Sequence, residues 1–176
     1  MNEYDAAIAS SAENVVPSPT RSTALKDIWS MLGISTEGVL RPPAKSQALQ
    51  IKFSSGQAYA IVKKGVPSRT LAPLGQYLGL GKGAIAAYLD LDRATATRKV
   101  AKDEMLPTHA AESLLRILEL DSLAEDTFET PEEAGAWLRR PHPMLDGESP
   151  IECAKSAFGA QRVKDILVAT KYGGVV

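Results

Sequence analysis

Few side chains in this sequence suit catalysis or metal binding, and their spacing favours neither. Cys153 is the only cysteine and lies in an apolar segment with no base nearby, so it is predicted to be a small packing residue. His109 and His142 have no cysteine pair or acidic cluster at metal-ligand spacing around them. The glycine-rich segment 79–83 lacks the GxxxxGK[ST] spacing of a phosphate loop and no strand precedes it, which indicates a turn between helices. The sequence therefore predicts no enzyme, no metal and no cofactor.

Charge is distributed unevenly along the chain, although the net charge is only −1. Residues 57–105 carry eight Lys/Arg and four acidic residues. Residues 106–150 carry three Lys/Arg and ten acidic residues. Two oppositely charged segments favour two surfaces with different partners, although both could simply be solvated helix faces. The acidic residues of the second segment are predicted to serve solubility and to complement helix N-termini: Asp121, Glu125, Asp126, Glu129, Glu132 and Glu133.

The elements that position these residues are predicted to be helices, and the fold class to be all-α. Alanine and leucine dominate the apolar residues, with 25 and 19 copies against 10 valines and 9 isoleucines. These are strong helix formers, whereas β-branched residues favour strands. The only candidate strand is the weak pattern at 49–53.

The first 53 residues are expected to form a flexible tail with one short helix. Ser22 or Thr23 is a candidate N-cap for a helix that runs to Leu32 and stops at Gly33. A linker follows, because Pro42-Pro43 blocks helix continuation.

The segment from Leu80 to Val100 has the pattern of a helix-turn-helix. One short helix ends at Leu89, and a second opens with Asp92 as its N-cap. Asp90 occupies a turn position that requires a positive φ, which Asp tolerates better than most residues. Ala96 and Val100 are predicted to face the core. The exposed face is predicted to carry Arg93, Ala94, Thr97, Arg98 and Ala101.

In such a motif the second helix enters the DNA major groove. We expect Arg93 and Arg98 to contact guanine bidentately, and Thr95 and Thr97 to reach bases or phosphates. The phosphate contacts are assigned to Lys82, Lys99 and Lys102.

Two helix starts in the C-terminal part have clear capping signals in the sequence. Thr130-Pro131 and Ser149-Pro150 each place a capping hydroxyl before a proline at the first helical position. The second helix is expected to present Ile151 to Phe158 as an apolar face and to break at Gly159. Trp137, in the first helix, is expected to anchor this half of the fold.

These residues together resemble the Xre/ParS/MbcA-type antitoxins, which are partners of RES-domain toxins in bacterial toxin–antitoxin operons. The C-terminal half resembles the toxin-binding domain of that family through Trp137-Leu138, Pro141, Leu145, Gly147, Pro150, Phe158-Gly159, Val163, Leu167 and Tyr172-Gly173. The N-terminal half resembles its Xre-like domain through Gly65-Val66-Pro67, Leu78-Gly79-Leu80, Leu89-Asp90-Leu91-Asp92, Thr95, Arg98 and Glu112-Ser113. The sequence departs from the family at Pro141-His142, where Pro-Asn is usual, and in a less basic second helix.

The resemblance implies an antitoxin that represses its own operon and covers the active site of an NAD-consuming or ADP-ribosylating toxin. It implies an Xre-like domain at 54–106 and a toxin-binding domain at 107–176, and it does not extend to the segment 1–53, which the composition predicts to be flexible. The expected toxin-binding tail is Lys171, Tyr172, Gly173, Gly174, Val175 and Val176. The expected partners are a RES-domain toxin of the same operon and operator double-stranded DNA, with the chain a homodimer within a larger heterocomplex.

Two alternatives to this interpretation stay open. One is a free-standing helix-turn-helix transcriptional regulator without a toxin, and the other is a protein–protein adaptor whose helix-turn-helix no longer binds DNA. No apolar run is long enough to span a membrane, and the N-terminus lacks a signal-peptide pattern, so a cytoplasmic bacterial protein is expected.

Overall fold

The computed structural model describes residues 19–34, 54–128 and 130–173, and in these ranges helices joined by turns and short loops are present, without a strand. The prediction of an all-α chain is confirmed. An isolated bridge between Pro67 and Met105 is the sole extended pairing in the described ranges. The nine α-helices there are α1 (Pro19–Leu32), α2 (Ser55–Lys64), α3 (Leu71–Leu78), α4 (Lys82–Tyr88), α5 (Arg93–Ala101), α6 (Thr108–Phe128), α7 (Pro131–Arg139), α8 (Pro150–Cys153) and α9 (Ala157–Lys171), with 3-10 turns at Ser68–Thr70 and Pro143–Leu145.

The helices surround two apolar cores, and α6 belongs to both. The first core takes side chains from α1 to α5 and from α6 as far as Leu118, together with Ile151 of α8. The second begins at Leu120 and takes its other side chains from α7, α8 and α9 and from the turn at Leu145. With 21 residues, α6 is about 32 Å long at 1.5 Å per residue. It is therefore the element through which one half of the molecule is fixed to the other.

Helix α1 is part of the first core. Leu25, Ile28 and Trp29 are all at most 1% exposed, and the helix packs mainly against α3. It begins at Pro19, so Ser22 and Thr23 lie inside the helix, and the predicted cap at either of them is wrong. Gly33 ends the helix as expected, with a φ of 72°. Helix α1, which the sequence assigns to the N-terminal segment 1–53, is thus an integral part of the helix-turn-helix half.

The remaining helix boundaries of the N-terminal half follow local signals. Ser54 and Gln57 form a capping box at the start of α2, and the N–H of Gly65 closes its end. Gly79 adopts a left-handed conformation at the end of α3, and Gly81 precedes α4, so the 79–83 segment is the turn that the sequence predicts. The candidate strand at 49–53 lies outside the described residues.

In the C-terminal half, the predicted helix start at Thr130-Pro131 is confirmed and the predicted helix end at Gly159 is not. Thr130 caps α7 by accepting a hydrogen bond from the Glu133 N–H at 3.2 Å, with Pro131 at the first helical position. The helix that starts at Pro150 ends at Cys153, and Ser156 caps a new helix that contains Gly159. The predicted break at Gly159 is therefore wrong.

Gly159 is required by packing. A Cβ at this position would overlap the backbone carbonyl of Cys153. The first turn of α9 therefore lies directly against the end of α8. Any larger residue at position 159 would keep the two helices apart.

Among the described helices, none combines the length and apolarity needed to cross a bilayer.

Candidate functional site

The turn between α4 and α5 is held by buried leucines on both sides. Leu89 is fully buried and Leu91 is 8% exposed, and between them Asp90 has a φ of 53°, the positive value that the pattern requires. Asp92 caps α5 by accepting a hydrogen bond from the Thr95 N–H at 2.8 Å. This bond to the backbone lowers the pKa of the Asp92 carboxyl. The turn and the cap together fix the direction in which α5 leaves the domain.

The outer face of α5 carries small and cationic side chains. Arg93, Ala94, Thr97, Arg98 and Ala101 are all exposed, as the sequence predicts, and Ala96 is buried.

Val100 does not lie in the core. Its side chain is 46% exposed, so the prediction that it faces inward is wrong. It borders a shallow pocket of about 200 Å³ between α3, α4 and α5, whose apolar floor includes Ala86 and whose rim carries Lys82 and Arg93. The physical reason is that α5 faces the domain along the line through Ala96 and Lys99, whose carbonyl accepts a hydrogen bond from Ser68 at 2.9 Å. Val100 lies at the edge of that face, over the open pocket.

The polar groups of α5 are not equally available to a ligand. The Thr97 hydroxyl donates to the Arg93 carbonyl at 2.9 Å. The Lys99 ammonium pairs with Glu104 at 3.2 Å, and the side chain is only 19% exposed. The hydrogen bond from Lys99 lowers the pKa of the Glu104 carboxyl. Lys102, one position beyond the helix, is exposed.

An acidic pair that the sequence assigns to the surface is buried instead. Asp121 and Glu125 are 1% and 3% exposed, one turn apart on α6. Arg21 of α1 binds both carboxylates, and its guanidinium lies 4.2 Å above the centre of the Tyr77 ring. The expectation that these two acids serve solubility is therefore wrong.

Desolvation dominates the electrostatics of this buried cluster. Burial raises the pKa of Glu125 to about 8, reinforced by the nearby Asp121 carboxylate and opposed by Arg21. Burial likewise raises the pKa of Asp121 and lifts that of the Tyr77 phenol well above its usual value. One arginine thus faces two carboxyls that are too close together to ionise without cost.

A sequence signal for this cluster was present. Leu114, Leu118, Asp121 and Glu125 follow one another at helical spacing, so the two acids continue the apolar stripe of α6. Carboxylates on a buried stripe require a cation, but nothing in the sequence points to Arg21 as its source.

The C-terminal tail leaves the protein beside α6. Lys171 pairs with Asp126, and this hydrogen bond raises the pKa of the Lys171 ammonium. Tyr172 is 77% exposed, and Gly173 has a φ of 72°. Residues 174–176 of the predicted toxin-binding tail lie outside the described residues.

Phe158 is the most exposed large apolar side chain of the described ranges, at 89%. The sequence places it on the apolar face of the helix that begins at Ile151. Because a new helix starts at Ser156, Phe158 points away from the core instead. That prediction is wrong for Phe158 and right for Ile151, which is buried.

Trp137 is only partly buried, in a small aromatic group at the edge of the second core. Its ring centre lies 5.5 Å from that of Phe128 and 5.6 Å from that of His142. His142 Nδ1 accepts a hydrogen bond from the Met144 N–H, so this histidine has a structural contact.

Cys153 is a half-buried free thiol, and burial raises the pKa of this thiol. Across the described ranges, no three His, Cys, Asp or Glu side chains come together at a metal-binding distance.

Two family models match the chain, one on each side of the middle of α6. The antitoxin Xre-like helix-turn-helix domain matches residues 57–119, and the antitoxin Xre/MbcA/ParS C-terminal toxin-binding domain matches residues 123–173. The two matches meet where one core gives way to the other, within α6, whereas the sequence analysis places the boundary at 106/107. Both matches leave out α1.

A curated relative supports the same assignment. The chain is 28% identical over 146 residues to a protein of Sphingobium sp. (strain YBL2) named Prs ADP-ribosylating antitoxin, across 78% of this chain and 91% of the relative. The expectation that the chain is an antitoxin-type protein and not an enzyme agrees with all three matches.

Proposed function

We propose that this chain, whose two halves match the antitoxin Xre-like helix-turn-helix domain and the antitoxin Xre/MbcA/ParS C-terminal toxin-binding domain, neutralises a RES-domain toxin of the same operon and represses that operon by binding its operator. The observation that carries the proposal is the arrangement of two functional halves on one continuous helix. The helix-turn-helix half presents the cationic face of α5, and the toxin-binding half ends in the tail at Lys171–Gly173.

Toxin inhibition is assigned to the C-terminal half. The tail begins directly after α9, which the second core holds through buried residues such as Val163 and Leu167. A short segment on a fixed helix loses little conformational freedom when it binds, which favours affinity. In this proposal the tail, residues 171–176, covers the active site of the toxin.

The reaction of the toxin is proposed from the relative. The name of the Sphingobium protein associates that antitoxin with ADP-ribosylation and with Prs. We extend the association with ADP-ribosylation to this chain and propose that its toxin transfers ADP-ribose from NAD.

Operator binding is assigned to α5. Arg93 and Arg98 flank the exposed small residues of the outer face, so both guanidinium groups can reach base edges in a major groove. Lys102 is the better phosphate ligand of the two lysines at the end of the helix, because Lys99 is held by Glu104. Thr95 and Thr97 then provide methyl groups and acceptor oxygens near the bases. A homodimer would present two copies of α5 to a two-fold operator.

Co-expression tests the toxin half of the proposal. The chain is expressed with and without the protein encoded beside it, and the purified complex is weighed by native mass spectrometry. A stable heterocomplex, with growth arrest when this chain is omitted, supports the proposal. A homodimer beside a harmless neighbour contradicts it and favours a free-standing regulator.

Binding to the DNA upstream of the operon tests the other half. The affinity of the full chain is measured at several salt concentrations, with Arg93→Ala and Arg98→Ala as variants and Arg140→Ala as a control of equal charge change on α7. Each phosphate contact lowers log K by about 0.9 per unit of log salt, so a steep slope is expected. Unchanged binding in both α5 variants would exclude this helix from the groove. Binding without a steep salt dependence, or no binding at all, would favour an adaptor.

A further inference from the structure

We propose that the outer face of α9 is a docking surface for the toxin, with Phe158 as its anchor. The inference rests on the proposed function and extends it from the tail to the folded domain. The surface consists of Phe158, Val168 and Tyr172 on α9, with Met144 from the preceding turn.

These large apolar side chains are exposed on one side of α9, interspersed with the polar Gln161 and Asp165, where a solvated helix face is expected. Phe158, Val168 and Tyr172 are 89%, 46% and 77% exposed. At about 100° per residue they lie within an arc of about 80° around α9 and extend over about 21 Å of its length. Scattered exposed apolar residues are ordinary, but several large ones on one helix face indicate a binding surface.

The structure fixes the backbone from which Phe158 projects. The Ser156 hydroxyl caps α9 by accepting a hydrogen bond from the Gly159 N–H at 2.9 Å. Gly159 itself packs directly against the Cys153 carbonyl. Phe158 therefore projects from a fixed first turn, and an aromatic side chain on a fixed backbone is a common interface anchor because only its own two dihedral angles are ordered on binding.

The polar groups of the same face have partners within the protein. Gln161 donates to Asp165 at 2.8 Å. Arg162 donates to the Met144 carbonyl at 2.9 Å and pairs with Asp146, so it also fixes Met144 beside α9. A protein that covers this face would meet apolar side chains without having to supply a partner for each polar group, which lowers the desolvation cost.

Position on the chain identifies the toxin as the occupant. The four residues all lie within 123–173, the range that matches the toxin-binding domain. Tyr172 belongs both to the α9 face and to the predicted tail, so one partner can contact the two surfaces continuously. The helix-turn-helix half presents its own exposed valine, Val100, on a different element.

The test compares two valines of equal exposure. Val168 and Val100 are both 46% exposed on helices, one on α9 and one on α5. The affinity of the purified toxin encoded in the same operon is measured for the full chain and for Phe158→Ser, Val168→Ser and Val100→Ser. We expect Phe158→Ser to weaken toxin binding by about 30-fold, the loss that marks an interface hot spot. Val168→Ser is expected to weaken it less and Val100→Ser not at all.

Each other outcome is decisive in a different way. Unchanged toxin affinity in Phe158→Ser, when removal of residues 171–176 abolishes binding, overturns the α9 surface and leaves the proposed function intact. A wild-type homodimer that Phe158→Ser converts to a monomer, with toxin affinity unchanged, assigns the face to a second copy and also overturns it. Absence of toxin binding by the wild-type chain overturns the proposed function itself. Thermal unfolding of the variants is expected to match that of the wild type, because Phe158 contributes almost no buried surface.

Discussion

The guanidinium of Arg21 donates a hydrogen bond of 2.7 Å to the carboxylate of Asp121, across 100 residues of sequence. The same nitrogen also binds Glu125, and a second nitrogen of Arg21 donates to the Tyr77 carbonyl at 3.0 Å. The contact joins α1 to the middle of α6, at the level where the two cores meet. The N-terminal helix is thereby connected to the element that links the helix-turn-helix half to the C-terminal half.

Replacing Arg21 by methionine should destabilise the protein strongly. The substitution keeps the apolar stem and leaves two buried carboxyls without their cation, a loss of about 3–5 kcal/mol. Urea unfolding of the full chain measures it. Arg162→Met breaks an exposed pair with Asp146 and should cost at most about 1 kcal/mol. Partial recovery in Arg21→Met with Asp121→Asn would assign the loss to the unpaired charge, whereas equal effects of the two arginine substitutions would contradict it.

Stability should fall as pH rises from about 4.3 to about 8. Glu125 has a pKa of about 8 in the folded protein, against about 4.3 in an unfolded chain. Between these values the folded state holds a proton that the unfolded state has released, so the free energy of unfolding decreases with pH. Glu125→Gln should flatten this slope, and Glu132→Gln, on the exposed side of α7, should leave it unchanged. The measurement is urea unfolding across this pH range, and an unaltered slope in Glu125→Gln would assign the proton elsewhere.

Asp90 combines backbone strain with a negative charge beside the proposed DNA-binding helix. Asp90→Gly removes both and should stabilise the domain by about 0.5–1 kcal/mol, because glycine adopts a φ of 53° without steric cost. Asp90→Asn removes the charge and keeps the side chain. Both variants should bind operator DNA more tightly, and the glycine variant should show the larger gain in melting temperature. Tighter DNA binding by the glycine variant alone would show that backbone geometry, not charge, limits binding.

Gly159→Ala should disrupt the junction of α8 and α9. The new Cβ would overlap the Cys153 carbonyl, so one helix must move and the second core must loosen, by about 1–3 kcal/mol for overpacking of this kind. Gly83→Ala is the matched control, since a Cβ there meets nothing within 4 Å and alanine favours the helix. Thermal unfolding compares them. A Gly159→Ala variant that melts with the wild type would contradict the close packing of the two helices.

Removal of residues 171–176 should abolish toxin inhibition without unfolding the protein. Among the described residues 171–173, the deletion loses the pair between Lys171 and Asp126 and an exposed tyrosine, but no side chain of the second core. Growth rescue in cells that express the toxin reports inhibition, and circular dichroism reports the fold. Lys171→Ala alone separates the ion pair from the tail. Full rescue by the truncated chain would move the inhibitory surface from the tail to another part of the molecule.

Local signals in the sequence determined much of the helical architecture. Asp92, Thr130 and Gly79 each act within three or four residues, through a cap or a left-handed turn, and the structure places each where the pattern predicts. Such contacts depend only on backbone geometry near the residue. The same is true of the exposed cationic face of α5, since helical spacing by itself separates Arg93 and Arg98 from the buried Ala96.

Tertiary structure decided the rest, because burial depends on contacts between distant segments. Whether Asp121 and Glu125 face water or protein depends on the docking of α1, and only that docking brings Arg21 to them. Val100 is exposed because it lies at the edge of the face that α5 packs on the domain, over an open pocket. Phe158 is exposed because a new helix, capped by Ser156, packs Gly159 against Cys153. The amino-acid sequence determines the helices and their polar faces locally, whereas the packing of one helix on another determines which of those faces remain free to bind a partner.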